Sequence, residues 1–160
     1  MKRISLITIK NKHKEILRKW RNEKITIKNS LSSKKVTIYE HNVWFKKRLS
    51  LKPKFFWLLK KNGVPIGTIR LDKNKKVYFI SYIIDKKMRN LGYGKQILKE
   101  MLRKKNVLEI IKKNFIILAK VKIHNSPSIK TFLSNNFKLI HQRNKILTFQ
   151  YQQEQKGLSK

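Results

Sequence analysis

The chain has no cysteine among its 160 residues. This absence excludes disulfide bonds, thiolate metal sites and a cysteine nucleophile, so any acyl transfer must avoid a cysteinyl intermediate. The histidines are scattered, and the carboxylates show neither a paired arrangement nor a His-x-x-x-His spacing. We therefore expect no metal site. The four histidines are His13, His41, His124 and His141.

Acidic residues are scarce as well, because 8 Asp and Glu face 41 Lys and Arg, which gives a formal net charge of +33. Such a charge is typical of proteins that neutralise the phosphates of nucleic acid. The lysines are nevertheless spread along the whole chain, together with much Asn and Ile, as an AT-rich genome would produce. Genomic composition, a polyanionic partner and an anionic small substrate such as coenzyme A all stay open as explanations.

Long apolar runs are also missing, and none approaches the roughly 20 residues of a membrane span. The apolar stretch near the first residue is too short for the core of a secretory signal. The length corresponds to one domain with a real hydrophobic core. We assign it to residues 1–151, followed by a polar tail at 152–160, and expect a soluble, cytoplasmic monomer or homodimer.

The apolar patterns predict strands and helices in the order β-α-α-β-β-β-α-β-α-β-β. Residues 22–37 read as a surface loop or short helix, and Asn62-Gly63 indicates a hairpin. Strands are predicted at 3–9, 55–59, 64–71, 77–84, 115–121, 137–140 and 145–151, and helices at 13–21, 38–49, from the glycine turn to 102, and at 125–135.

The most informative segment is the strand, glycine turn and amphipathic helix at residues 77–102. Gly92 and Gly94 allow close approach of a ligand to the backbone, and the N–H groups of a helix start favour an anion. The turn therefore predicts an anion site, best suited to a nucleotide-type pyrophosphate; a turn without a ligand is the alternative. A dinucleotide fingerprint fits less well because its third glycine would fall at Ile97, and no Gly-Lys-Ser/Thr completes a P-loop.

The spacing Arg89-x-x-Gly92-x-Gly94 resembles the acetyl-CoA signature of the GNAT N-acetyltransferase superfamily, and the block from His124 to Phe137 resembles a second conserved block of that family. The resemblance covers nearly the whole chain. It implies an α/β (α+β) fold: a mixed, mostly antiparallel twisted sheet, flanked by helices and splayed at the acetyl-CoA site. It also implies that acetyl-CoA contacts Ile83, Ile84, Arg89, Asn90, Leu91, Gly92, Tyr93, Gly94, Lys95 and Asn125. For Asn125, the alternative to a contact with the coenzyme is a purely structural role as a helix cap.

Two positions depart from the family pattern. Phe132 stands where a tyrosine often protonates the leaving thiolate, and Asn136 stands where glycine is usual. Asparagine tolerates the left-handed conformation that glycine supplies at a helix end. Phenylalanine cannot donate a proton, so catalysis would depend mainly on positioning and on polarisation of the thioester by backbone N–H groups near Ile83.

Few side chains are available as a base for the acceptor amine. Glu40 and His41 are the first candidates, followed by Glu23, Asp72 and Asp85. Simple solvent exposure is the alternative for each.

Three N-terminal motifs resemble the enzymes that acetylate the 4-amino group of a UDP-linked amino sugar in pseudaminic acid biosynthesis. The motifs are Trp20-Arg21-Asn22-Glu23, Glu40-His41-x-x-Trp44-Phe45 and Pro65-Ile-Gly67-x-Ile-Arg70. The resemblance implies that Arg21, His41, Trp44 and Phe45 bind the substrate, whereas core packing is the alternative for the aromatic residues. Acetylation of protein N-termini, as on ribosomal proteins, and non-catalytic binding of nucleic acid are the alternative functions.

Overall fold

The computed structural model describes residues 3–153. Most of the predicted polar tail, from residue 154 onward, lies outside the described residues. The strands are β1 Ile4–Thr8, β2 Phe56–Lys61, β3 Val64–Asn74, β4 Val77–Ile84, β5 Ile116–Lys122, β6 Phe137–Arg143 and β7 Ile146–Tyr151. The helices are α1 Lys14–Arg21, α2 Lys24–Asn29, α3 Ile38–Ser50, α4 Tyr93–Leu102, α5 Lys105–Lys112 and α6 Ser126–Leu133.

The seven strands form one mixed sheet in the order β1-β2-β3-β4-β5-β7-β6. Neighbours are antiparallel except for β4 and β5, which are parallel. The tight hairpins depend on residues with positive φ, as at Asn62-Gly63 and Asn144-Lys145, because such turns match the twist of the paired strands. The predicted fold class is confirmed.

Helices cover both faces of the sheet. Helices α4, α5 and α6 pack on one face, where Leu98 and Met101 are fully buried. Helices α1 and α3 pack on the other face, around Phe45, Phe56 and Leu58. The alternation of side chains along each strand supplies both cores, since successive residues point to opposite faces.

One helix is missing from the prediction. Residues 105–112 form α5, and its apolar positions Val107, Ile110 and Ile111 follow a helical spacing that could have been recognised. The segment expected to be a loop or short helix contains α2, and β3 is three residues longer than predicted.

His41 joins the two helices on the α1 side of the sheet. Its side chain is buried, and Nε2 donates a hydrogen bond to the carbonyl oxygen of Lys14 at 3.0 Å. The ring lies 5.4 Å from Trp44 and 5.9 Å from Phe45, measured between ring centroids. Burial lowers the pKa of His41 below its usual 6.5 because it disfavours the charged imidazolium.

This depressed pKa predicts an acid-sensitive fold. Below about pH 6.5, the unfolded chain binds a proton at His41 that the folded chain does not bind. The free energy of unfolding therefore decreases as the pH is lowered. Urea titrations from about pH 7.5 to about pH 5.5 should show the free energy of unfolding decreasing, and His41→Gln should reduce that decrease. Part of it should persist, because burial also lowers the pKa of His13.

The matched control is His141→Gln, which changes an exposed residue of β6. A pH dependence that is the same in the His41→Gln variant and the unmodified protein would contradict this account.

Candidate active site

The central feature of the site is a wedge between two parallel strands. Residues Val77–Ile80 of β4 pair with Ile116–Ala119 of β5. Beyond these four pairs the strands diverge. The backbone N–H and C=O groups that face β5 in the last residues of β4 are therefore not hydrogen-bonded to that strand. Ile83 packs towards the core under α1 and α3, whereas Ile84 is buried on the α4 side.

A cradle for an anion lies at the end of β4, where the chain enters α4. Gly92 has φ +81° and is the N-cap of the helix, whose first internal hydrogen bond runs from Gln96 N to Gly92 O. A Cβ at Gly92 would have no described heavy atom within 4 Å, so the backbone faces open space. Asn90 is left-handed as well, with φ 59°. The N–H groups of the first helical turn are therefore available to a diphosphate, and the cradle fits acetyl-CoA.

The two glycines of the motif have different roles. A Cβ at Gly94 would lie 3.1 Å from Thr131 Oγ1 and 3.5 Å from Tyr82 Oη. Gly94 therefore permits the close packing of α4 against α6 and β4, whereas Gly92 provides the left-handed turn. Leu91 and Lys95 are exposed beside the cradle, and Tyr93 is half-buried.

The Arg89 side chain points towards α2. Its Nη2 donates to Glu23 Oε2 and to Thr26 Oγ1, the latter at 3.1 Å, and its Nε donates to Ile84 O at 3.1 Å. These contacts join the loop after β4 to the segment after α1. Nη1 of Arg89 is buried and has no hydrogen-bond partner among residues 3–153.

The segment 124–137 contains α6 and the turn after it. Asn125 caps α6 by accepting a hydrogen bond from Ser128 N at 3.4 Å. Phe132 is buried, with its ring centroid 5.1 Å from that of Phe137. Asn136 has φ 61°, which confirms that it supplies the left-handed conformation expected of a glycine there.

A polar contact lies beside Phe132, at the boundary between α6 and β4. Tyr82 Oη and Ser128 Oγ are 3.0 Å apart, and burial raises the pKa of Tyr82 above its usual value. Hydroxyl groups therefore reach this boundary from both β4 and α6, from Tyr82 and Ser128, although position 132 of α6 carries a phenylalanine.

Three arginines meet on the opposite face of the sheet, which α1 and α3 cover. We call Arg21, Arg48 and Arg70 the cationic cluster. Asp72 accepts from Arg48 and, at 3.1 Å, from Arg70, while Arg70 lies 5.2 Å above the Trp44 ring. Asp72 is thus hydrogen-bonded to two of the three guanidinium groups. Burial, and after it the charge of Arg70, lowers the pKa of Arg21.

Two buried polar atoms, one on α1 and one on α3, lack a hydrogen-bond partner among the described residues. Arg21 donates from Nη2 to Ser32 Oγ at 2.9 Å, but its buried Nη1 has no partner among the described residues. The buried Oδ1 of Asn42 likewise has none within residues 3–153. A buried polar group without a partner carries a desolvation cost, which a ligand could relieve.

The first catalytic candidates have structural partners. Glu40 forms a capping box at the start of α3, where its Oε2 accepts from Thr37 N at 2.7 Å and from Thr37 Oγ1 at 2.8 Å. These bonds lower the pKa of Glu40, the backbone bond most strongly. His41 and Phe45 are buried in the core. Of the predicted substrate residues, Arg21 and Trp44 lie at the cationic cluster.

The other candidate bases are also hydrogen-bonded. Glu23 contacts Arg89 and Asp72 contacts the cationic cluster, as described above. Asp85 accepts from Trp20 Nε1 at 2.6 Å and from Lys87 N at 2.9 Å. Each proposed carboxylate therefore already holds part of the structure together.

Two pairs of charged residues lie in buried strands. Sequence reasoning missed Lys120 and Lys122, whereas it named Asp72 as a candidate base and Arg70 as part of a motif. Arg70 and Asp72 in β3, and Lys120 and Lys122 in β5, alternate with core residues and point to the α1 side of the sheet. Lys120 Nζ lies 5.1 Å from the centroid of the Phe79 ring. Polar residues at alternate positions of a buried strand were the available signal.

Within residues 3–153, no group of three or more His, Asp or Glu side chains could hold a metal ion. In the same part of the chain, every helix is too short or too polar to cross a bilayer.

Solved structures with the same fold come from several organisms. A domain from Methanocaldococcus jannaschii is 20% identical, with a TM-score of 0.75 over 94% of this chain and 98% of that one. The ribosomal-protein-alanine N-acetyltransferase of Brucella melitensis is 16% identical, with a TM-score of 0.71 over 91% and 98%. YncA of Salmonella typhimurium, solved with its cofactor acetyl-CoA, is 12% identical, with a TM-score of 0.70 over 96% of each chain. A search of curated proteins finds no significant match.

The sequence profile of the Acetyltransferase (GNAT) family matches residues 15–137. The matched range includes the wedge, the Gly92 cradle and the helix that Asn125 caps. The chain belongs to the GNAT family and is an acetyl-CoA-dependent N-acetyltransferase.

Proposed function

We propose that the enzyme acetylates the amino group of a nucleotide-linked amino sugar. The observation that carries this proposal is the cationic cluster, where Asp72 pairs with only two of the three partly buried guanidinium groups, beside the Trp44 ring. Arginine is suited to phosphate because its planar fork can donate two parallel hydrogen bonds. A diphosphate would bring the missing negative charge, and the aromatic ring would provide a face for the sugar or base.

The cofactor side of the reaction is assigned to the cradle. We propose that residues 89–95 hold the diphosphate of acetyl-CoA, with the N–H groups after Gly92 as donors. Ile83, Ile84 and Asn125 would contact the rest of the molecule. Acetyl-CoA supplies a thioester carbonyl that an amine can attack. The chain aligns the two reactants across the wedge, and such alignment lowers the barrier by removing the entropy of their encounter.

The acceptor amine must be neutral when it attacks. The candidate carboxylates are already hydrogen-bonded, and His41 is in the core. Nearby arginine charges, however, disfavour an ammonium ion and lower the pKa of an amine beside them. We infer that the cationic cluster both binds the anionic substrate and favours the reactive form of its amine.

A peptide acceptor, as for the ribosomal-protein type of enzyme, is the second candidate. A basic peptide would be repelled by the cationic cluster, so charge favours the nucleotide sugar. A cytoplasmic location and any contact with nucleic acid stay predictions from the sequence.

Replacement of Arg70 tests the acceptor assignment. Arg70→Gln should raise KM for a UDP-linked amino sugar about 10-fold or more, because a hydrogen bond to a charged group contributes about 1.5–3 kcal/mol. Initial rates can be followed with a thiol reagent, which detects only the released coenzyme because the protein has no cysteine.

The matched control is Arg143→Gln, at an exposed position of β6. The acetyl-CoA affinity and melting temperature of Arg70→Gln should stay close to those of the unmodified enzyme. Acetylation of a peptide N-terminus, with no turnover of the nucleotide sugar, would refute the proposed acceptor.

Replacement of Gly92 tests the cofactor assignment. Gly92→Val forces a β-branched residue into a left-handed conformation, so we expect the stabilisation by acetyl-CoA in a thermal unfolding titration to be largely lost. Gly92→Asn should retain more of the stabilisation, because asparagine tolerates this conformation.

Gly63→Val is the control for backbone strain. Gly63 has φ +82° and open space around its Cβ position, as Gly92 has, but it lies in the β2–β3 hairpin. Equal acetyl-CoA affinity in the Gly92→Val and Gly63→Val variants would refute the cradle as the cofactor site.

A further inference from the structure

A short segment between α1 and α3 spans the open end of the wedge. We call residues 23–33, which include α2, the strap. Helix α2 has six residues and buries none of them, and Ile25 and Leu31 are 56% and 52% exposed. A helix this short has little stability of its own. Polar contacts must therefore decide where the strap lies.

One end of the strap is fastened to the chain that leaves β4. Arg89 donates from Nη2 to Glu23 and Thr26, and from Nε to the carbonyl oxygen of Ile84. One guanidinium group thus holds both the end of β4 and the beginning of the strap.

The other end is fastened to β5. Lys122, the last residue of that strand, donates from Nζ to the carbonyl oxygen of Lys28 at 2.9 Å and also to Ser33 Oγ. The two strands that diverge at the wedge therefore each send one cationic side chain to the same short segment.

The strap also contacts the cationic cluster. Ser32 Oγ accepts the hydrogen bond from Arg21 Nη2 at 2.9 Å. Asn22 holds the end of the same loop, donating to Val36 O at 2.7 Å and accepting from Val36 N at 2.8 Å. The orientation of the Arg21 guanidinium, and so of its unpaired Nη1, depends on the position of the strap.

We propose that Arg89 and Lys122 are positioning residues that hold the strap across the wedge and thereby orient Arg21 towards the acceptor. This inference rests on the proposed function in that it treats Arg21 as a contact of the acceptor. Lys122 acts at a distance, through Ser33, Ser32 and Arg21.

Three variants of the full chain test the role of Lys122. Lys122→Met removes both hydrogen bonds and keeps the aliphatic stem, Lys122→Arg keeps a donor, and Lys138→Met alters an exposed lysine of β6 as the control. The measurements are KM and kcat for a UDP-linked amino sugar, the dissociation constant of acetyl-CoA, and hydrogen exchange of the amides in residues 23–33.

For Lys122→Met we expect acceptor KM to rise about 10-fold, as for loss of one charged hydrogen bond, with kcat and acetyl-CoA affinity changed about twofold or less. Exchange in the strap should accelerate. Lys122→Arg should restore slow exchange and low KM, and Lys138→Met should match the unmodified enzyme. Thr26→Val removes one hydrogen-bond acceptor of Arg89. It should likewise raise the KM for the nucleotide sugar and accelerate hydrogen exchange in the strap.

Unchanged exchange in the strap of Lys122→Met would overturn the proposal, as would an unchanged acceptor KM or an equal loss of acetyl-CoA affinity. The hydrogen-exchange measurement does not require an acceptor substrate, so it tests the strap independently of the proposed function. If the unmodified enzyme does not turn over the nucleotide sugar, the proposed function fails, and faster exchange in Lys122→Met but not in Lys138→Met still supports the fastening of the strap.

Discussion

The early end of pairing between β4 and β5 is the constraint on which the rest of the site depends. Only four residue pairs join these parallel strands before they diverge. The divergence leaves backbone groups of β4 available to a ligand, and it places the start of α4 at the mouth of the opening. Helices α4 and α6 occupy one side of this wedge, and α1, the strap and α3 occupy the other. In the proposed function, cofactor and acceptor approach one strand from opposite faces of the sheet.

Charge distinguishes the two sides. The cradle can attract an anion through backbone N–H groups without a cationic side chain. This agrees with the orientation of Arg89, whose side chain is hydrogen-bonded to Glu23 and Thr26. The proposed acceptor side instead has guanidinium groups, which are partly buried and incompletely paired. Partial burial strengthens their interaction with an anion because the screening by water is reduced. Because the candidate carboxylates are used in structural contacts, the proposed mechanism depends on positioning and on local charge more than on a dedicated base.

Much of the fold could be predicted because it is encoded locally. The apolar runs of β2, β3 and β4, the Asn62-Gly63 turn and the helical spacing after Gly92 each depend on neighbouring residues, and each is found where expected. The left-handed Asn136 was predictable for the same reason. Helix α5 was missed although its spacing was present, since it follows α4 after a turn of only two residues.

The sequence by itself determined the order of the seven strands, the glycine turn, the absence of thiol chemistry and the family resemblance, because these depend on residue type and short spacing. The tertiary structure alone decided which distant side chains meet. It placed His41 and Phe45 in the core, brought Arg21, Arg48 and Arg70 together from two helices and a strand, and turned Arg89 towards the strap. Periodicity can assign a residue to one face of an element, but the contacts across that face depend on how elements far apart in the chain pack against one another.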